Sequence, residues 1–248
     1  MRWALLSDVH GNEPALEAVL RDVDRAAPDR VLCLGDTVGY GAQPGECLAR
    51  VRDRCDVVLR GNHEHAILFG TANFTPLARV AADWTAQQLR GPDDLGYLAR
   101  LSPSHAEGAW RLVHGSLADP LNDYVRESDS AWMFYQLVRT LREEFNGFDL
   151  CFVGHNHRAF MGTEVGFLFP HADGGQPCHR FRVAGQKAYV SVGSVGQPRD
   201  GDPRASWVFF DGETVEYRRV PYDHAEAMRR IAAAGLPGYL AERLAHGQ

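Results

Sequence analysis

The sequence of 248 residues lacks the features that mark membrane, secreted and repeat proteins. It contains no apolar stretch approaching the ~18 residues that a membrane-spanning helix needs. Met1 leads directly into a short apolar run, without the basic and apolar regions of a signal peptide. Internal repeats and low-complexity tracts are absent. With 45% hydrophobic and 23% charged residues, the composition is that of an ordinary globular protein with a substantial core.

Positive charge is in deficit. The 26 Lys and Arg residues are outnumbered by 32 Asp and Glu residues, which gives a net charge of −6. Broad binding of nucleic acid depends on Lys and Arg that neutralise phosphates, so this balance disfavours nucleic acid as the main partner. A nuclease with a local basic strip remains open as an alternative.

The number and spacing of the cysteines do not indicate a metal or redox site. The five cysteines are an odd number, and none lies in a CxxC pair. This pattern argues against a thiolate zinc site, a redox dithiol and a disulfide framework. Cys33 and Cys151 lie within apolar runs and are expected to be small buried side chains. We therefore expect a protein of a reducing compartment, in the cytoplasm.

Strand and helix patterns alternate in the first part of the sequence and give way to strands and turns later. Helices are predicted to begin near Pro14, with Asn12 as the cap, and at Pro44. Amphipathic helices are predicted over residues 75–89 and 130–145. Short strands are predicted in the later part, over residues 165–169, 179–183, 188–192, 207–210 and 214–219.

These later strands predict a mostly antiparallel sheet laid on the first half. The polar, Gly-rich stretch 170–177 predicts an exposed loop. Because no interdomain linker is evident, we expect one domain over residues 1–248. Within it, we expect an α/β half over 1–158, a mostly β half over 159–222 and a helical tail over 223–248.

Five short polar motifs each follow an apolar run that is typical of a buried strand. The apolar runs are residues 3–6, 31–34, 57–59, 110–113 and 150–153. The motifs are Asp8-Val9-His10-Gly11-Asn12, Gly35-Asp36-Thr37-Val38-Gly39, Gly61-Asn62-His63-Glu64, His114-Gly115-Ser116 and Gly154-His155-Asn156-His157. Side chains at the carboxyl ends of neighbouring strands converge on one crevice, and His, Asp and Asn bind borderline divalent metals. The sequence therefore predicts a dinuclear metal site at these strand ends.

In this order, the motifs resemble the signature of the calcineurin-like metallophosphoesterase superfamily, which reads DxH, GDxxxxG, GNH[DE], a later histidine and GHxH. Residues 36–41, 193–199 and 234–237 are also similar to a bacterial and archaeal phosphodiesterase branch. The resemblance implies an α/β fold in which two packed mixed β-sheets are flanked by helices, an αββα sandwich.

The resemblance implies seven metal ligands and one further catalytic residue. The first metal would be held by Asp8, His10 and His157, the second by Asn62, His114 and His155, and the carboxylate of Asp36 would bridge the two. His63 would act on the substrate as the general acid. The cofactors would be two divalent ions, and the imidazole-rich shell favours Mn²⁺, Fe, Ni²⁺, Co²⁺ or Zn²⁺ over Mg²⁺ alone.

One position departs from the protein serine/threonine phosphatases of this superfamily. Their second motif carries an Asp-Arg pair whose Arg grips the phosphate, whereas Gly39 and Tyr40 stand here. This departure disfavours a protein phosphatase and a symmetrical diadenosine tetraphosphate hydrolase. The candidate substrate contacts are Tyr40, Tyr124, Arg126 and Arg199, with Arg204 as a further substitute cation.

The preferred hypothesis is a metal-dependent hydrolase of phosphodiesters, with monoesters left open as further substrates, in which a bridging hydroxide attacks phosphorus. Its partner would be a small phosphoester or nucleotide, without a membrane, and an oligomer is left open. The rival hypothesis is a non-catalytic interaction scaffold that kept the fold. Loss of ligand residues would support that rival, and none is missing.

Overall fold

Two six-stranded mixed β-sheets form the centre of the computed structural model, which describes residues 1–89, 91–127, 130–170 and 178–248. The strands of the first sheet are β1 (Trp3–Leu6), β2 (Arg30–Cys33), β3 (Val57–Val58), β9 (Cys178–Arg182), β11 (Ala205–Phe210) and β12 (Thr214–Val220). Those of the second sheet are β4 (Ser104–Glu107), β5 (Trp110–Val113), β6 (Leu150–Val153), β7 (Ala159–Thr163), β8 (Gly166–Leu168) and β10 (Ala188–Val192).

Each sheet has a parallel part that is extended by antiparallel strands. The first has the order β3-β2-β1-β11-β12-β9, with β1, β2 and β3 parallel and β11 antiparallel to β1. The second has the order β4-β5-β6-β10-β7-β8, with β5, β6 and β10 parallel and β4 and β7 antiparallel to their neighbours. The parallel strands bring their carboxyl ends to one edge of each sheet.

Helices cover the outer faces of both sheets. They are α1 (Glu13–Ala26), α2 (Pro44–Arg54), α3 (Asn62–Phe69), α4 (Pro76–Gln88), α5 (Pro92–Arg100), α6 (Ala131–Glu143), α7 (His224–Ala233) and α8 (Gly238–Glu242), followed by a 3₁₀ turn over Arg243–Ala245. The Asn12 side chain caps α1 by accepting a hydrogen bond from Ala15 N at 3.2 Å. Within the described residues, no helix combines the length and the apolar character needed to cross a bilayer.

Aromatic rings join the two sheets in the core. Trp3 of β1 meets Trp110 of β5 edge-on, with 4.7 Å between ring centroids. Phe210 of β11 lies 5.0 Å from Trp110 and 5.1 Å from Phe152 of β6. Large buried rings contribute much apolar area and prefer such tilted contacts. This layer holds the two sheets together behind their parallel strand ends.

The α/β architecture of two mixed sheets flanked by helices is confirmed, but the prediction of a separate antiparallel sheet in the second half is wrong. β9, β11 and β12 extend the first sheet, whereas β7, β8 and β10 extend the second. The physical reason is burial. Strand β11 is almost fully buried and pairs with β1, and β10 is fully buried and pairs with β6, so each lies inside a sheet that the first half of the chain begins. Of the loop predicted over 170–177, Pro170 is buried and the rest lies outside the described residues.

The aromatic layer leads to a prediction about stability. Phe152→Ala leaves a cavity between the sheets, and we expect it to lower the free energy of unfolding by about 3–5 kcal/mol. Val165→Ala is the matched control, because Val165 is 86% exposed and should change that free energy by less than about 0.5 kcal/mol. Urea unfolding of both variants and the parent measures the effect. Equal stabilities of the two variants would contradict this account of the core.

Candidate metal centre

The candidate ligands meet where the carboxyl ends of the two sets of parallel strands face each other. Asp8 and His10 follow β1, Asp36 follows β2 and Asn62 begins α3 after β3, so these four belong to the first sheet. From the second sheet, His114 follows β5, and His155 and His157 follow β6. Three groups of His and Asp atoms within 4.8 Å of one another lie here: Asp8, His10 and His157; His10, Asp36 and His63; and Asp36, His114 and His155.

The loops at these strand ends adopt an unusual backbone conformation. Five candidate ligands have positive φ angles: Asp8 (53°), His10 (48°), Asp36 (52°), His155 (64°) and His157 (57°). Residues other than glycine rarely adopt such angles, and each costs of order 1–3 kcal/mol. Hydrogen bonds between neighbouring loops hold them, including Asp8 N to Gly35 O at 3.0 Å and His10 N to Asp36 O at 2.9 Å. The strain is concentrated where the side chains must turn inward together.

The first cluster consists of Asp8, His10 and His157. His10 Nδ1 donates to Val38 O at 3.1 Å, and His157 Nδ1 donates to Gln197 O at 2.6 Å. With Nδ1 engaged in this way, both rings turn their Nε2 atoms toward each other across 3.0 Å.

The carboxylate of this cluster adds a third acceptor. Asp8 Oδ1 lies 3.2 Å from His157 Nε2 and 3.7 Å from His10 Nε2. It is buried without a conventional hydrogen bond from any described residue. Two imidazole nitrogens and a carboxylate oxygen that converge away from water are the donor set that a borderline divalent metal prefers.

The second cluster is built in the same way. His114 Nδ1 donates to Leu34 O at 2.9 Å, which leaves Nε2 facing Asn62 Oδ1 at 3.1 Å and Asp36 Oδ2 at 3.3 Å. His155 contributes its ring from the other side, with Nε2 donating to Asn122 O at 3.3 Å, so its Nδ1 carries the lone pair.

Asp36 lies between the two clusters. Its Oδ2 is 3.3 Å from His114 Nε2 in one cluster and 3.6 Å from His10 Nε2 in the other. Its Oδ1 accepts a hydrogen bond from His63 N at 2.9 Å, which fixes the orientation of the carboxylate. One oxygen atom is therefore placed within reach of both clusters, as a bridging carboxylate requires.

Protonation differs among these groups: although burial opposes it, the carboxylates of Asp36 and Asp8 raise the pKa of His114 to about 9, so this ring is positively charged at pH 7. Burial alone would raise the pKa values of both carboxyls, but His157 and His10 hold the pKa of Asp8 well below its usual value, and His114 and His63 do the same for Asp36. Both carboxylates are therefore buried anions. Burial lowers the pKa of His155 to about 4 and that of His157 to about 3, so both are neutral ligands at pH 7.

Comparison with known proteins agrees with this geometry. The family model of the calcineurin-like phosphoesterases matches residues 1–159, which contain all seven candidate ligands. The chain belongs to the calcineurin-like phosphoesterase family. The resemblance expected from the motifs is thus confirmed, and the buried His and Asp clusters of this family member are suited to binding metal.

Similar proteins cover the whole chain. An uncharacterized protein of Methanocaldococcus jannaschii is 34% identical over an alignment of 251 residues, which covers 99% of this chain and 98% of that protein. The crystal structure of a metallophosphoesterase from Sphaerobacter thermophilus is 36% identical, covers 100% of both chains and superposes with a TM-score of 0.86. A hypothetical protein from Pyrococcus horikoshii shares the fold, with a TM-score of 0.79, 18% identity and coverage of 100% of this chain and 98% of that one.

His63 lies beside the clusters of this phosphoesterase at the start of α3. Its ring packs against His10 at 4.8 Å, Tyr40 at 4.5 Å and Phe74 at 4.8 Å. A Cβ at Gly39 would collide with His63 Nδ1, so the backbone can approach the ring only because residue 39 is glycine. His63 is therefore held in one position by the second motif.

Glu64 is a site residue to which sequence reasoning assigned no role. Its fully buried carboxylate accepts hydrogen bonds from Gly61 N at 2.8 Å, Asp36 N at 2.9 Å and Val38 N at 3.2 Å. Burial, together with the charge of Asp36, raises the pKa of Glu64 to about 7. Glu64 ties the second motif to the third. Glu64 stands three residues after Gly61, which is the spacing of a capping box. This spacing was the sequence signal that could have identified Glu64.

The stretch 194–197 braces the first motif from the opposite side. Ser194 Oγ donates to Asp8 O at 2.7 Å, and Gly196 N donates to the same oxygen at 2.9 Å. A Cβ at Gly196 would collide with Val9 O, so this approach also requires glycine. The resemblance to a phosphodiesterase branch included this stretch, but its role becomes clear only in the structure. Residues 194–197 position Asp8 and accept the Nδ1 proton of His157.

All four candidate substrate contacts surround the mouth of the centre. Tyr124 stacks on His155 with 3.9 Å between centroids, and Arg126 lies 5.8 Å over the ring of Tyr124. Tyr40 lies 4.7 Å from His10, and the Arg199 guanidinium lies 5.8 Å over Tyr40. The further candidate Arg204 instead pairs with Asp202, with Nη2 and Oδ2 2.6 Å apart.

The position of Asp36 leads to a prediction about metal content. Asp36→Asn removes the charge shared by the two clusters, so we expect metal retained after gel filtration to fall from two ions per chain to one or fewer. Elemental analysis of protein purified with Mn²⁺ provides the measurement. Asp24→Asn, an exposed change on α1, is the matched control and should retain the parent's metal. An Asp36→Asn protein that keeps two ions would refute the bridging position.

Proposed function

We propose that this family member is a metal-dependent phosphodiesterase with a dinuclear centre. The observation that carries the proposal is the position of Asp36 Oδ2 between two buried clusters of His and Asp side chains whose ligand atoms converge. In this proposal, Asp8, His10 and His157 would hold one ion, Asn62, His114 and His155 would hold the other, and Asp36 would be shared by both. When bound, two such cations lower the pKa of the attacking water and neutralise charge on the phosphoryl oxygens.

The donor set bears on the identity of the metal. Four of the seven proposed ligands are imidazoles, which suit Mn²⁺, Fe, Ni²⁺, Co²⁺ or Zn²⁺ better than Mg²⁺. Asn62 is uncharged, which limits the negative charge around a phosphate anion. Retention of all seven ligands supports catalysis over the alternative of a non-catalytic scaffold.

In this proposal His63 serves as the proton donor to the leaving group. It lines a cavity of about 470 Å³ together with Tyr40, Asn62, Phe74, Tyr124 and His155. Burial lowers the pKa of His63 well below its usual value, so the imidazole is neutral in the free protein. A phosphate anion in the cavity raises the pKa of this ring, so proton uptake accompanies substrate binding and supplies the proton for the leaving oxygen.

The walls of this cavity support a diester as the substrate. A monoester carries about two negative charges near neutral pH, because the second phosphate pKa is about 6, and a diester carries one. Gly39 and Tyr40 occupy the place of the Arg that would grip a dianion, and no Arg or Lys is found among the described residues that line the cavity. The rings of Tyr40, Phe74 and Tyr124 suit an uncharged aromatic leaving group instead.

The role of His63 is tested through the leaving group. His63→Ala should reduce kcat/KM for an alkyl phosphodiester by about 100-fold or more and for a nitrophenyl diester by less than about tenfold, since a nitrophenolate scarcely needs a proton. Steady-state kinetics on the two esters provide the measurement. His65→Ala on the same helix is the control and should lower neither value selectively. Equal losses on both esters would show that His63 acts through binding or electrostatics.

Substrate class is tested with two esters that share a leaving group. With Mn²⁺ at neutral pH, we expect kcat/KM to be higher for bis-p-nitrophenyl phosphate than for p-nitrophenyl phosphate. Release of nitrophenolate is followed with both substrates, and protein treated with a chelator provides the blank. A clear preference for the monoester would contradict the diesterase proposal.

A further inference from the structure

A second cavity, rich in arginine, lies beside the metal centre. It has a volume of about 400 Å³ and is lined by Tyr124, Arg126, Glu127, Asn156, Arg158 and Arg199. These six residues are called the arginine recess below. Among the described residues that line it, Glu127 is the sole carboxylate, against three guanidinium groups.

The arginine recess carries a net positive charge in a protein whose overall charge is −6. Arg158 Nε pairs with Glu127 Oε1 at 2.9 Å. Arg199 Nη2 donates to the neutral Oε1 of Gln197 at 2.7 Å, and Arg126 lies over a tyrosine ring. The lining residues therefore neutralise one of the three guanidinium charges. Guanidinium groups bind phosphate oxygens through paired hydrogen bonds, so the recess suits a phosphate group.

The floor of the arginine recess is the loop that carries two candidate metal ligands. Asn156 lies between His155 and His157, and Arg158 follows directly. The backbone of Arg199 is attached to the same loop, because Arg199 N donates to His157 O at 2.9 Å. A group bound in the recess would therefore lie next to the metal centre rather than at a remote surface.

Tyr124 forms the wall between the recess and the cavity that holds His63. It lines both cavities, and its ring stacks on His155 at 3.9 Å. The two sides differ in charge, because the described lining of the His63 cavity contains neither Arg nor Lys. This asymmetry gives the two arms of a diester different surroundings. If His63 protonates the leaving group, as proposed above, the leaving group would lie on the His63 side and the retained arm on the side of the arginine recess.

We propose that the arginine recess binds a second phosphate group, carried on the retained arm of the substrate. The substrate class is then a phosphodiester whose retained arm bears a further phosphate, for example a nucleoside that is phosphorylated at a second hydroxyl. This inference rests on the proposed phosphodiesterase function and specifies its substrate. Arg126, Arg158 and Arg199 would be the contacts that distinguish such a substrate from an unphosphorylated one.

The test compares two substrates with the same scissile bond: the p-nitrophenyl ester of thymidine 5′-phosphate, with and without a 3′-phosphate. The parent protein should show a kcat/KM about tenfold or more higher for the 3′-phosphorylated ester, the gain expected from one added charge-assisted contact. Arg158→Ala should reduce this ratio about tenfold, and Glu127→Gln should raise it. These opposite effects cannot both arise from partial unfolding. Arg21→Ala, at an exposed position of α1, is the control and should leave the ratio unchanged.

Binding is measured separately, by isothermal titration of the Mn²⁺-loaded protein with thymidine 3′,5′-bisphosphate and with thymidine 5′-phosphate. The bisphosphate should bind about tenfold more tightly to the parent, and this difference should be lost in Arg158→Ala. Equal kcat/KM values for the two esters, or equal affinities for the two nucleotides, would overturn the inference. Hydrolysis of neither ester with Mn²⁺ would contradict the proposed function instead, and the titrations would still decide whether the recess prefers the second phosphate.

Discussion

The convergence of carboxylate oxygens and imidazole nitrogens in a buried space is the constraint on which the rest of this structure depends. His10 and His157 turn their Nε2 atoms toward each other across 3.0 Å, and the carboxylates of Asp8 and Asp36 lie beside them as buried anions. Such atoms repel one another in a medium of low dielectric constant unless a cation neutralises them. The surrounding loops must therefore resist this repulsion whenever the cation is missing.

That resistance comes from backbone atoms of distant segments. Glu64 ties the loop of Asp36 to the start of α3, and Ser194 and Gly196 hold the carbonyl oxygen of Asp8. Carbonyl oxygens from other loops accept the Nδ1 protons of the candidate ligand histidines and so orient their Nε2 atoms toward the centre. Because each loop is fixed by another, the positive φ angles of the ligand residues can persist.

Much of this arrangement could be predicted from the sequence, because strand ends with polar motifs are local signals. The capped helix α1 and the strand β10 follow from short patterns, whereas the grouping of Asp8 with His10 and His157 was implied by the resemblance to the calcineurin-like superfamily. The sheet to which each later strand belongs could not be predicted, since pairing of β11 with β1 depends on contacts about 200 residues apart. Helix α3 lacks an apolar stripe, and the role of Glu64 depends on amides supplied by another motif.

The division of the ligands between the two sheets has a thermodynamic consequence. Asp8, His10 and Asp36 extend from the first sheet, and His114, His155 and His157 extend from the second. Ions shared by these residues would cross-link the two sheets at the open edge of the sandwich. This link would be made by metal coordination, whereas the aromatic layer behind it joins the sheets by apolar packing. Because such ions bind the folded chain only, each adds RT ln(1 + [M]/Kd) to the free energy of unfolding. The stability of the fold would then depend on the free metal concentration around it.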